Sequence, residues 1–155
     1  MSNYMRTKEY QSLLVMKKSQ LVQAASGQSS IIEHGIKVPD SSMLVAVFGS
    51  ISSILGFFFL NSKSRSLGLA IATVYAAMLP DTKNTVQRLA VNGLNGLNEI
   101  AGFMDRNTNY DLVEINTPFL EYEYSDSTEN WRIVQGKPAI TRLRVASTGK
   151  WIIAT

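Results

Sequence analysis

The sequence contains no cysteine and a single histidine, His34. No disulfide can staple this chain, and no thiolate nucleophile or thiolate metal site can form. One imidazole beside Glu33 falls short of the three or four converging ligands a metal site needs, so His34 reads as an incidental loop residue. No GxxxxGK[ST] phosphate loop is present. Charge is scarce at 17% of residues, and a net charge of +3 is too small to argue for nucleic acid as a partner. Hydrophobic residues make up 45%, enough apolar surface to exclude a disordered chain. Residues up to Asp40 are polar apart from Leu13 to Met16, which argues against a cleaved signal peptide. No constellation of catalytic side chains is visible, so the chain reads as non-enzymatic, with no cofactor and no metal.

What the sequence does have is a long apolar stretch. Met43 to Leu60 carries no charge over eighteen residues, the length at which a run becomes a candidate membrane-spanning helix. The polar break NSKSRS follows, and then Leu67 to Leu79, thirteen uncharged residues that reach only about 20 Å. Continuous apolar residues exclude strand alternation. Small residues recur four apart at Ser42, Ala46 and Ser50, at Gly49 and Ser53, at Ser52 and Gly56, and at Gly68, Ala72 and Ala76. Such stripes let two helix backbones approach closely, a usual packing device in lipid. Residues 43–79 therefore read as a hydrophobic helical hairpin that lipid or sister chains must cover. Asp40, Ser41 or Ser42 is placed to cap its first helix.

Around the hairpin, residues 1–42 read as an amphipathic helix over 2–25 and a connector. Tyr10, Leu13, Leu14, Lys17, Leu21 and Ala24 fall near one side, and Gly27 suits a C-cap. Residues 80–104 read as a second amphipathic helix capped by Asp81 or Thr82, with apolar residues at three-four spacing from Val86 to Met104. Its NGLNGLN echo holds Gly93 and Gly96, each costing roughly 1 kcal/mol relative to alanine, which suggests close packing. Residues 105–155 read as a small antiparallel β meander, with runs at Leu112–Ile115, Pro118–Tyr124, Trp131–Gln135, Ala139–Ala146 and Trp151–Ala154 and turns at SDSTEN, GKP and STGK.

Charge is segregated in that module. Residues 111–130 hold only acids and residues 131–155 only bases. Glu121 and Glu123 are expected to pair across strands or subunits with bases such as Arg142 and Arg144. A module of about 45 residues without staples must lean on helices or neighbours.

The expected fold is thus α+β: N-terminal helix, hydrophobic hairpin, amphipathic helix, β meander. The expected function is a homo-oligomeric membrane protein with a structural or pore-forming role, such as a virion, secretion-machine or holin-like component in contact with a lipid bilayer. One alternative is a soluble structural subunit of a large assembly, its hairpin buried between subunits and other assembly subunits as partners. Another is a membrane-anchored binding module. Gly49, Ser53, Gly56, Gly68, Ala72, Ala76, Gly93 and Gly96 are the candidate helix-packing or oligomer contacts.

Overall fold

A computed structural model describes residues 5–60, 64–124 and 130–154. The first element is a strand, β1 (Met5–Met16), followed by the helix α1 (Lys18–Ile31) and a wide helical turn over Ile32–Lys37. Then come α2 (Ser41–Ser50), a tight helical segment Ser52–Phe57, α3 (Ser64–Ala77) and α4 (Pro80–Arg106). The strands β2 (Tyr110–Tyr124), β3 (Asn130–Val134), β4 (Ala139–Val145) and β5 (Trp151–Ile153) complete an α+β fold with a five-stranded antiparallel sheet.

β2 is the spine of that sheet. One of its sides pairs with β1 along the whole of β1, from Met5↔Tyr124 to Met16↔Val113. Its other side pairs with β4 and then, further along, with β3. The two short strands run end to end, separated by the turn that holds Gly136, whose φ of +95° favours glycine. β5 lies outside β4. Strand alternation in β2 buries Val113, Ile115, Thr117, Phe119 and Glu121, and the residues between the first four are only half-buried.

The expected N-terminal amphipathic helix over 2–25 is wrong in its first half. The apparent helical stripe joined two elements. Tyr10, Ser12, Leu14 and Met16 alternate inward on β1, while Leu21, Ala24, Ala25, Gln28 and Ile31 form the buried stripe of α1. Alternation wins before Lys17 because β2 offers a twelve-residue ladder of main-chain partners, and β-branched Val15 suits a pleated surface. The helix begins where the backbone N–H of Lys17 donates to Gln20 Oε1 at 2.8 Å, one half of a capping box. Gly27 does not end α1. It lies inside the helix, where an added Cβ would come within 2.6 Å of the Phe58 ring and 2.8 Å of Ile51. The expected connector is helical as far as Lys37.

The long apolar run does not form one helix. α2 spans ten residues, with Asp40 Oδ1 accepting from the Met43 N–H at its start. The backbone leaves helical geometry at Ile51 and again at Ile54. Serines and β-branched residues at 50–54 are weak helix formers, and the sheet competes for Phe58 to Leu60. Arg132 N–H donates to Phe58 O at 2.8 Å, Leu60 N–H donates to Asn130 O at 3.1 Å, and Phe59 bridges to Trp131. The end of the run thus caps the outer side of β3. Among the described residues no helix is long and apolar enough to cross a membrane. α4 has the length but carries Asp81, Lys83, Arg88, Glu99, Asp105 and Arg106. This overturns the membrane-embedded, pore-forming reading and removes the anchor from the membrane-anchored one.

Among the described residues most large side chains of the span are covered by its own chain instead, while Met43, Leu60 and Leu79 stay exposed. Leu44, Phe48, Phe58, Ile71 and Tyr75 are fully buried in a cluster shared with α1, α4 and the sheet. Tyr75 meets Trp131 edge-on at 5.6 Å between ring centres and Tyr122 at 5.8 Å, and Tyr122 stacks on Trp131 at 4.2 Å. Burial pushes the Tyr122 hydroxyl up to about 12 and Tyr75 well above its ordinary value. α2 and α3 do pack closely: an added Cβ on Gly68 would lie 2.7 Å from Val45 Cγ2 and 2.9 Å from Ser41 O.

Candidate functional site

The sheet ends in two strands, β1 on one side and β5 on the other. Among the described residues neither outer edge has a strand partner. Pair registers define which side chains share a row across the sheet. Val15 lies opposite Glu114, Glu114 opposite Arg142, and Arg142 opposite Ile153. The row therefore reads aliphatic, acid, base, aliphatic from edge to edge. Its centre is closed by the Arg142–Glu114 ion pair at 3.0 Å, with the guanidinium stacked 4.4 Å over the Trp151 ring. Its two ends are open. Val15 is 47% exposed and Ile153 79%, and Leu13, on the same face of β1, is 59% exposed. A cavity of about 440 Å³ borders β5 on the helix side, walled by Phe103, Tyr110, Ile140, Leu143 and Ile152.

A second cluster is polar and largely buried. Tyr10 Oη donates to Glu121 Oε1 at 2.6 Å and accepts from Arg132 Nη1 at 3.0 Å. Arg132 Nε donates to Phe57 O at 2.8 Å, and its guanidinium lies 3.8 Å over the Phe119 ring. Lys8 Nζ reaches Glu121 at 3.5 Å and Glu123 at 3.8 Å. Burial, then the bond to Glu121, raises the Tyr10 hydroxyl above its ordinary value. The cluster holds two cations and two carboxylates, with the Tyr10 hydroxyl bridging Arg132 and Glu121. Among the described residues no group of three or more histidines, aspartates and glutamates is arranged to hold a metal ion. His34 lies in the wide turn after α1, where its carbonyl accepts from Asp40 N–H, and neighbouring Glu33 pairs with Lys37 at 2.9 Å.

The residues singled out from sequence fall in different places. Gly68 packs against α2. Ala72 is buried, while Ala76 is exposed. Gly93 and Gly96 pack on the β3–β4 junction, not on the hairpin: an added Cβ would lie 2.6 Å from Val134 O and 2.5 Å from Pro138 Cδ respectively. Gly49 and Gly56 are exposed with nothing within 4 Å of an added Cβ, and Ser53 is exposed and donates to Gln23 Oε1. Glu121 and Glu123 take Lys8 from β1, whereas Arg142 and Arg144 take Glu114 and Asp111. The polar break at 61–63 and the turn residues 125–129, including Asp126 and Glu129, lie outside the described residues. Tyr10, Arg132 and the Val15–Ile153 row were not legible as sites. Arg132 and Ile153 carry no motif, and only the pairing register shows which way they point.

The two surface ion pairs set an acid response. Hydrogen bonds from Arg144 hold Asp111 below its ordinary carboxylate value, and those from Arg142 and Thr141 do the same for Glu114. A carboxylate lowered by folding binds fewer protons in the native state, so its contribution is present above the unfolded value and lost as pH falls. Urea unfolding is therefore expected to show stability declining from near the ordinary glutamate value of 4.5 downward. The pair Asp111→Asn and Glu114→Gln is expected to flatten that decline. A slope identical to the parent chain below that value would show that these pairs contribute nothing.

No protein-family model, no curated protein and no solved structure matches this chain.

Proposed function

We propose that this chain is a non-enzymatic structural subunit that assembles with copies of itself, the β5 edge of one copy meeting the β1 edge of the next. The observation that carries this is the row ending in Val15 on one edge and Ile153 on the other, both exposed. Strand addition in register with that row sets Ile153 of one copy beside Val15 or Leu13 of the next. Aliphatic surface is then covered, and the Arg142–Glu114 pair stays undisturbed between. A contact between two different edges is head-to-tail, so it propagates into a ring or a filament. β5 has three residues, so main-chain bonds are few and side chains carry most of the contact. This reading keeps the assembly-subunit alternative but changes its interface. Most of the described apolar run is covered within the chain, and the edges of the sheet are what a neighbour meets. Gly49, Ser53, Gly56 and Ala76 stay on the surface as secondary contacts.

The test is sedimentation of the purified full chain over a range of concentration. The parent is expected to form oligomers larger than a dimer. Val15→Glu and Ile153→Lys are each expected to leave monomers. The chain carrying both substitutions is expected to reassemble, because the acid of one copy then meets the base of the next. A parent chain that stays monomeric at hundreds of micromolar, or single variants that assemble like the parent, would refute the edge contact.

A further inference from the structure

We propose that the cavity under β1 is a binding site for a small aliphatic carboxylate, anchored by Arg132. The cavity measures about 290 Å³, at the lower bound of ligand pockets and room for roughly ten heavy atoms. It opens between β1, the start of α1, the Ser52–Phe57 segment and β3, and Arg132 lines it. Arg132 is only 7% exposed. Its Nε and Nη1 are committed to Phe57 O and Tyr10 Oη, which fix the guanidinium plane against Phe119. Nη2 makes no hydrogen bond among the described residues, and Nη1 gives only one of its two hydrogens to Tyr10, so N–H donors of a held, charged group remain for a guest.

The charge balance names the guest. No acidic side chain lines the cavity. The nearest carboxylate in the cluster, Glu121, is engaged by Tyr10 and Lys8. Glu121 lies opposite Arg132 across β2 and β3 and shares Tyr10 Oη with it, but it is also held by Lys8 and does not line the cavity, so the guanidinium edge facing the cavity favours a monoanion such as a carboxylate. Gln20 supplies a further donor: its Oε1 is used by the Lys17 N–H, while its amide nitrogen makes no bond among the described residues. Leu14, Val15, Met16, Ile54 and Phe57 give the apolar part of the wall, and Ser53 adds a hydroxyl. The apolar part suits a short alkyl chain and gives no partner to a second charge.

Titration of the full chain with sodium hexanoate at fixed ionic strength, read by calorimetry and by the Arg132 Nε resonance, tests this. Saturable binding is expected, about tenfold or more tighter than 1-hexanol, which keeps the chain and lacks the charge. Inorganic phosphate is expected to compete poorly. The blocking variant is Gly56→Leu. Gly56 lines the cavity, and an added Cβ there meets nothing within 4 Å, so leucine can be placed at its wall without displacing neighbours. It is expected to keep the parent's circular dichroism and to lose hexanoate binding about tenfold or more. No saturable binding at millimolar hexanoate, equal binding of hexanol, phosphate competing as strongly as a carboxylate, or unchanged affinity in Gly56→Leu would each overturn the site.

Discussion

Replacing Gln28 by leucine is expected to destabilise the chain by about 3 kcal/mol, a drop of about 6–12 °C in Tm for a protein of this size. Gln28 is fully buried. Its Nε2 donates to Ala90 O at 3.1 Å and to Val134 O at 2.8 Å, and its Oε1 accepts from Val134 N–H at 3.1 Å. One side chain thus ties α1 to α4 and to the last residue of β3. Leucine has a similar size, so the cavity cost is small. The loss comes from Val134, whose N–H and carbonyl lose their side-chain partner in a dry interior. Each such group costs about 1–3 kcal/mol, and part is offset by the extra apolar burial. Gln28→Glu is expected to be at least as harmful, because a buried carboxylate would turn an oxygen toward two carbonyls. Urea unfolding decides it: a leucine variant within about 1 kcal/mol of the parent would mean that water or a backbone shift satisfies Val134.

Gln28 also shows where the sequence stops being readable. In SGQSSII it looks like one more polar residue of a connector, since nothing local marks a glutamine that will lose all contact with solvent. Its burial follows from the closeness of α1 to α4, which is a tertiary fact. Strands in the C-terminal third were legible because FLEYEY and TRLRV alternate and STGK breaks them, but the runs Leu112–Ile115 and Pro118–Tyr124 are one strand, β2, paired with β1 rather than set in a simple meander. α4 was legible because its apolar stripe repeats over 27 residues. β1 was not. Its pattern, YQSLLVM, fits one helical face as well as it fits alternation, and the deciding partner, β2, lies a hundred residues away. The apolar run misled for a related reason. Length and lack of charge are properties of lipid-facing helices and of core segments alike, and the sheet that covers Phe58 and Phe59 cannot be seen from the run itself. The assembly edges and the Arg132 cavity share this limit, since both exist only once strand register is known.

The second large effect falls on the same residue from the other side. Gly93→Ala in α4 is expected to cost about 2 kcal/mol, although alanine gains roughly 1 kcal/mol over glycine in a helix interior. The new Cβ would lie 2.6 Å from Val134 O, 2.8 Å from Val134 Cγ1 and 3.0 Å from its carbonyl carbon. The obstacle is mostly backbone, so it cannot rotate away, and either α4 or β3 must retreat. Gly49→Ala is the control, since nothing lies within 4 Å of its added Cβ, and it is expected to be neutral or to stabilise by up to about 1 kcal/mol. Because Gly93 and Gln28 both bear on Val134, their effects are not independent. Once the alanine has pushed β3 away, Gln28 has already lost good geometry with Val134, and removing it costs less. A double-mutant cycle is therefore expected to fall short of the sum of the single effects by about 1 kcal/mol. Strict additivity would mean that the methyl group is accommodated without disturbing the bonds of Gln28 to either Val134 or Ala90.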